Sequence, residues 1–158
     1  MTEAAGLVAF ILICFLAAAV GGTATVGAVR TWYPALRKPS WNPPAQLFGP
    51  VWSVLYLMMG VAGWLVWRTR NAIDVRLALG LFTMQLALNV SWSVLFFGLR
   101  RPGRALVDIV LLWVAIVATA IAFWSHDPIS SVLLLPYLLW VTFAAALNRS
   151  IFRLNRAS

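Results

Sequence analysis

The sequence predicts an all-α membrane protein: five transmembrane helices forming one domain over residues 1–158. Two observations predict it. The first is composition. Hydrophobic residues make up 63% of the chain and charged residues 10%, whereas a soluble domain carries about 25% charged residues. The second is the placement of the charges. Glu3 and Arg30 enclose 26 uncharged residues, Lys38 and Arg68 enclose 29, Arg76 and Arg100 enclose 23, and Asp127 and Arg149 enclose 21. Arg104 and Asp127 enclose 22 more, with Asp108 the one charge among them. A spanning helix needs about 20 apolar residues. The five intervals place helices near 6–29, 45–67, 74–99, 104–125 and 128–148, with a loop over 30–44. Continuous rather than alternating apolar runs exclude a β-barrel.

The first span reads as a retained helix. Its flank carries Glu3 and no basic residue, and its apolar run is too long for a signal peptide. It holds Ala17–Ala19 and Gly21-Gly22-Thr23-Ala24-Thr25, small residues that admit a neighbouring backbone or a ligand. Most of them read as helix packing. Gly22 and Val26, one turn apart, also read as a flat wall beneath a ligand.

The loop carries an unusual share of proline and aromatic residues: Trp32, Tyr33, Pro34, Pro39, Trp41, Pro43 and Pro44. Proline lacks the backbone donor and restricts the residue before it. The loop is therefore stiff and ordered, and it reads as a lid.

In the second helix Pro50 predicts a bend, and Trp52, Tyr56 and Met59 share one face. That stripe reads equally as packing and as a wall under the lid. Trp64 and Trp67 beside Arg68 read as an interfacial belt. The third helix carries Gln85, Asn89 and Trp92 on one face. A polar amide in hydrocarbon needs a partner, so the face turns inward, toward either an interhelical hydrogen bond or a ligand. In the fourth helix Asp108 lies four residues after Arg104, a spacing that permits an ion pair. The fifth helix aligns Tyr137, Trp140, Ala144 and Asn148, with Pro136 expected to kink it.

If the stripes of the second, third and fifth helices converge, they enclose a pocket of ring surfaces with few polar groups. Such a pocket suits a large, flat, apolar ligand. Arg37 and Lys38 stand near its mouth, placed to meet carboxylates at the interface.

The net charge of +8 does not indicate nucleic acid. Five spans put nine Lys/Arg on the side of the loop and the C-terminal tail and three on the other. The positive-inside rule then places the N-terminus outside and the C-terminus in the cytoplasm. The one cysteine, Cys14, and the one histidine, His126, form neither a metal site nor a nucleophile pair. No filter-like loop or ring of charges suggests a channel.

Several motifs together resemble the translocator protein family, also known as the peripheral-type benzodiazepine receptor or tryptophan-rich sensory protein family. They are Trp32-Tyr33, Lys38-Pro39-Ser40-Trp41, Pro43-Pro44, Gly49-Pro50-Val51-Trp52, Leu55-Tyr56, Asn89 with Trp92, Phe96-Phe97-Gly98, Pro136-Tyr137-Leu138 with Trp140, and Leu147-Asn148. They stand in family order over nearly the whole chain. The resemblance implies a homodimeric five-helix bundle whose pocket binds porphyrins such as protoporphyrin IX or haem, and benzodiazepine or isoquinoline carboxamide drugs. It implies a part in tetrapyrrole sensing, transport or stress response, with no required cofactor. It makes Tyr33 a lid contact, Asn89, Trp92 and Ala144 lining residues, and Trp52 and Trp140 the pocket tryptophans. Two alternatives accompany it: light-dependent porphyrin degradation at Trp52 and Trp140, and a membrane scaffold acting through partners. Animal members carry a sterol motif with a tyrosine after the Leu-Asn pair. Arg149 stands there in this chain, while Arg153 remains as a sterol contact. Val29, Tyr33 and Arg37 also match the loose sterol pattern. The short chain suggests a bacterial member, in the inner membrane ahead of the outer.

Overall fold

The computed structural model describes residues 2–156, and every regular element among them is helical. Helix α1 is Glu3–Thr31, α2 is Phe48–Arg68, α3 is Arg76–Ser93, α4 is Pro102–Trp124, α5 is the short Pro128–Val132, and α6 is Leu135–Asn155. Five spans result, because α5 and α6 together cross once. Helices are the expected solution in a bilayer, where each backbone polar group must find its partner inside the segment.

The ends of the helices follow from local chemistry. Thr2 caps α1, accepting from the Ala5 N–H at 3.3 Å. Asp127 caps α5, accepting from the Ile129 and Ser130 N–H groups, and Pro128 occupies the first turn, where its missing donor is not needed. Pro136 falls in the first turn of α6 for the same reason. The expected kink is thus a break at Leu133–Leu134, between α5 and α6. The last span also runs well beyond the expected 148, to Asn155, and α1 continues through Arg30 into Thr31.

Helix α3 does not end as a regular helix. Val94–Gly98 form a π-helical turn, closed by the Leu99 N–H on the Val94 carbonyl at 2.7 Å. The wider turn seats both Phe96 and Phe97 in the interior. Arg100 then reverses the chain at φ 53°, a conformation that costs a residue with a Cβ about 1–2 kcal/mol.

Helix α1 packs on α2 and α3, α3 on α4, and α4 on α6. The α1–α2 contact is made by glycines. A Cβ on Gly60 would sit 2.9 Å from the Ile11 Cα, and one on Gly63 2.8 Å from the Phe10 ring. The expected Arg104–Asp108 ion pair does not form. Asp108 is turned to α3 instead, where its Oδ1 accepts from the Ser91 hydroxyl at 2.7 Å. Burial of the Asp108 carboxyl between two helices gives it a near neighbour on α3 that Arg104, exposed at the helix start, is not.

Two ends of the bundle are distinct. At one end lie Glu3, the Arg68–Arg76 connection and His126, tied by Arg68–Glu3 at 3.5 Å and Thr69–His126 at 3.3 Å. Arg70 lies 3.4 Å over the Trp67 ring and Arg68 4.8 Å over Trp64, as an interfacial belt requires. At the other end lie the 32–47 lid, the α3–α4 turn and the end of α6.

Candidate functional site

The lid is held down by polar contacts within its own sequence and with the end of α6. The Lys38 ammonium donates to the carbonyls of Tyr33, Pro34 and Leu36 at 2.8, 3.1 and 2.9 Å. All three of its donors are committed, so Lys38 is not free to meet a carboxylate at the mouth as the sequence suggested. The Tyr33 hydroxyl donates to Asn42 Oδ1 at 2.7 Å. Asn155, on the last turn of α6, accepts from the Arg37 N–H at 3.0 Å and donates to the Arg37 carbonyl at 2.9 Å. Trp41 packs edge-on against Phe143 of α6, and Trp32 against Phe96. Prolines 39, 43 and 44 fix the path between these anchors. Burial pushes the Tyr33 phenol pKa above its ordinary value, against the lowering effect of the Asn42 hydrogen bond.

Beneath the lid lies a cavity of about 280 Å³. Helix α1 supplies one wall with Phe15, Ala18, Gly21, Gly22, Thr25 and Val29. The lid and α2 supply Tyr33, Ala45, Phe48, Gly49, Trp52, Ser53 and Tyr56, and α3 with its π turn supplies Trp92, Ser93 and Phe97. The volume is at the lower end of the range for small-molecule sites.

Of the expected site residues, Gly22, Tyr33, Trp52, Tyr56 and Trp92 line this cavity together. The others stand elsewhere. Val26 is 57% exposed on the outer side of α1: Thr25 and Val29 continue the cavity face, and Val26 lies about 100° round from Thr25. Asn89 and Tyr137 are buried behind the wall. The Tyr56 hydroxyl donates to Asn89 Oδ1 at 2.5 Å, and Asn89 Nδ2 donates to the Tyr137 hydroxyl at 2.9 Å. This chain braces α2, α3 and α6 and holds the Tyr56 ring at the wall. Trp140 is separated from the cavity by Phe48, whose ring lies 6.0 Å away edge-on. Its buried indole N–H has no partner among the described residues. Ala144 lines a separate gap of about 20 Å³ with Leu147 and Asn148. Arg153 is exposed on the last turns of α6, outside the cavity.

The stripes of the second, third and fifth spans do meet, through Tyr56–Asn89–Tyr137, Trp52–Tyr137 and Trp92–Asn148, but they fill the space between them and the open cavity lies to one side. The cavity belongs to α1, α2, α3 and the lid, and the fifth span supports it from behind. The spacing of Ala18, Gly21, Gly22, Thr25 and Val29 on one helical face could have revealed the α1 wall. The sequence pointed to this wall at Gly22 alone, because packing accounts for the other small residues equally well.

The cavity's electrostatics are simple. No charged side chain lines it. The hydroxyl hydrogens of Thr25, Ser53 and Ser93 are directed at the carbonyls of Gly21, Gly49 and Asn89. Trp92 gives its indole N–H to Asn148 Oδ1 at 3.1 Å, and Asn148 in turn donates to the Pro102 carbonyl. Among the described residues, the Trp52 indole is the lining side-chain donor without a protein partner. The surface offered is a stack of rings: Trp52 lies 5.6 Å from Tyr56, and Trp92 stacks on Phe96 at 5.5 Å with Phe97 at 5.9 Å. Such a surface suits flat, weakly polar molecules.

Five apolar spans with a ring-lined cavity beneath a stapled lid define an integral membrane protein with an apolar site. The sequence profile described as the TspO/MBR family matches residues 10–154. The tryptophan-rich protein TspO of Chlorobaculum tepidum is 45% identical over 150 residues, covering 90% of this chain and 91% of that protein. The human translocator protein is 43% identical over 138 residues, covering 86% and 82%. The tryptophan-rich sensory protein of Cereibacter sphaeroides is 39% identical over 141 residues, covering 87% of each. This chain belongs to the TspO/MBR family.

Proposed function

We propose that the cavity binds a large, flat, apolar molecule of the tetrapyrrole or isoquinoline carboxamide and benzodiazepine type, and that the protein acts in sensing or moving such molecules. The observation that carries this reading is the lining: aromatic rings and small residues, no charge, and one uncommitted donor, the Trp52 indole. Trp52, Tyr56, Trp92 and Tyr33 would contact the ligand's faces, and Gly21 and Gly22 would let it lie against the α1 backbone. A porphyrin's carboxylates would remain at the headgroup level, near the exposed Arg37. A fused-ring drug fits the cavity more readily than a macrocycle, which must spread its walls.

The basic residues support an orientation for this site. The lid, the α3–α4 turn and the tail share one end of the bundle through the Arg37–Asn155 and Asn148–Pro102 contacts, so nine of the twelve Lys/Arg gather there. By the positive-inside rule that end faces the cytoplasm.

The test is a titration of the purified protein with protoporphyrin IX, followed by tryptophan quenching. Saturable binding displaced by an isoquinoline carboxamide is expected. Trp52→Phe should weaken it about tenfold, the scale of losing an indole donor and its ring area. Trp140→Phe should change it by less than about threefold, because Phe48 stands between. Quenching that never saturates, or equal losses in both variants, would contradict the assignment.

A further inference from the structure

The two helices that form most of the cavity wall are closed at one end and open at the other. Away from the lid, α1 and α2 are in close contact: a Cβ on Gly60 would fall 2.9 Å from the Ile11 backbone, and one on Gly6 or Gly63 2.5 or 2.8 Å from the Trp67 or Phe10 ring. Phe15 and Tyr56 continue this antiparallel pairing at 6.5 Å between ring centroids. The same register carried toward the lid sets Ala18 opposite Ser53 and Gly22 opposite Gly49. There the contact stops, since a Cβ on Gly22 or on Gly49 meets nothing within 4 Å. Phe15, Gly49 and Ser53 line the cavity and are exposed. The cavity thus opens sideways, at a depth where both helices are uncharged. The route over the top is obstructed by a lid stapled through Lys38, Tyr33–Asn42 and Arg37–Asn155.

We infer that the cavity is reached laterally, from the bilayer, through this window between α1 and α2, and that what passes through is a flat apolar molecule already dissolved in the membrane. The inference rests on the ligand-binding reading of the cavity and adds its route. The window's chemistry fits such a molecule. Its rim is Phe15, Ala18, Gly22, Gly49 and Ser53, and the Ser53 hydroxyl is turned back onto the Gly49 carbonyl at 3.0 Å, leaving no donor to strip from water. Small residues at the four central positions keep the gap wide enough for the edge of a ring system. A ligand too large for the closed cavity can protrude here without disturbing the lid.

The test measures rates, because a gate changes how fast a site fills and a wall changes how tightly it holds. The protein is placed in phosphatidylcholine nanodiscs, and protoporphyrin IX association and release are followed by stopped-flow. Ser53→Leu should slow both rates by about tenfold while leaving their ratio within about threefold. Val54→Leu, on the exposed face of α2 outside the cavity lining, should leave both unchanged, and Asn155→Ala, which unclips the lid, should not speed either. Faster association in Asn155→Ala with no slowing in Ser53→Leu would overturn the lateral route in favour of the lid. A second arm does not need the porphyrin. Phosphatidylcholine brominated near the headgroup end of its acyl chains should quench the Trp52 emission, identified by its loss in Trp52→Phe. Ser53→Leu should relieve that quenching. If protoporphyrin IX fails to bind but the bromolipid quenches Trp52, the ligand reading fails and the window stands. If Trp52 is not quenched, the window itself is refuted.

Discussion

At the scale of single residues, the Asn89 amide joins three helices, accepting from the Tyr56 hydroxyl and donating to that of Tyr137. Asn89 was legible as inward-facing, since an amide in hydrocarbon needs a partner. That both its arms are used, on Tyr56 and Tyr137, was not legible, because three residues from three spans must meet and nothing local in the sequence pairs them. The consequence is testable. Tyr56→Phe keeps the ring and removes the hydrogen bond to Asn89 Oδ1, leaving a buried acceptor unmatched. It should lower stability to unfolding in detergent by about 1–2 kcal/mol. No change would mean that the amide finds another partner and that the brace is not structural. A second residue-scale prediction concerns Asp74, in the connection opposite the lid. The Arg76 side chain and backbone N–H both donate to its carboxylate, and hold its pKa down to about 2. Carboxyl NMR should find Asp74 still ionised about one pH unit below the ordinary carboxylate range, and Arg76→Ala should return it to that range near 4.

At the scale of helices, the five spans were legible from charge spacing alone, because a bilayer imposes a minimum apolar length. Their partners were not. Small residues serve both to bring two backbones together and to leave room between them, and only the structure separates the two uses on α1 and α2. The separation predicts opposite responses to the same type of change. Gly63→Val should force α1 from α2, since even a Cβ at 63 falls 2.8 Å from Phe10. A loss of about 1–3 kcal/mol is expected. Gly22→Ala adds a methyl where nothing lies within 4 Å and removes a flexible glycine from a helix. It should raise stability by about 0.5–1 kcal/mol. Thermal unfolding in one detergent compares the two, and a loss in both would show that the helices touch along their whole length. The π turn at Val94–Gly98 was equally hidden. The sequence displays Phe96-Phe97 but not the extra residue per turn that lets both face inward.

At the scale of the whole molecule, the lid and the last helix act as one unit. The stiffness of the 30–44 loop was legible in its prolines. Its fastening was not, because Asn155 lies far beyond the expected end of the last span and is 118 residues from Arg37. Asn155→Ala should raise amide exchange across residues 36–44 while leaving the spans protected, since the clamp is local and the bundle has its own core. Uniform exchange across lid and helices would show that the clamp supports the fold rather than the lid. The departure from the expected three-stripe pocket also belongs at this scale. Helical periodicity tells which residues share a face, but which faces meet depends on packing order. Here the fifth span packs tightly against α2 and α3, and the open space is left on the α1 side.

If a flat apolar ligand sits in the cavity between α1, α2 and the π end of α3, photoaffinity labelling will mark those walls. A diazirine analogue of an isoquinoline carboxamide would be cross-linked to the protein in nanodiscs and the labelled residues read by mass spectrometry. Labels are expected at Ala18–Val29 of α1 and Phe48–Tyr56 of α2, competed by protoporphyrin IX. Labels concentrated on Tyr137–Ala144 of the fifth span, or spread over the outer faces without competition, would contradict it.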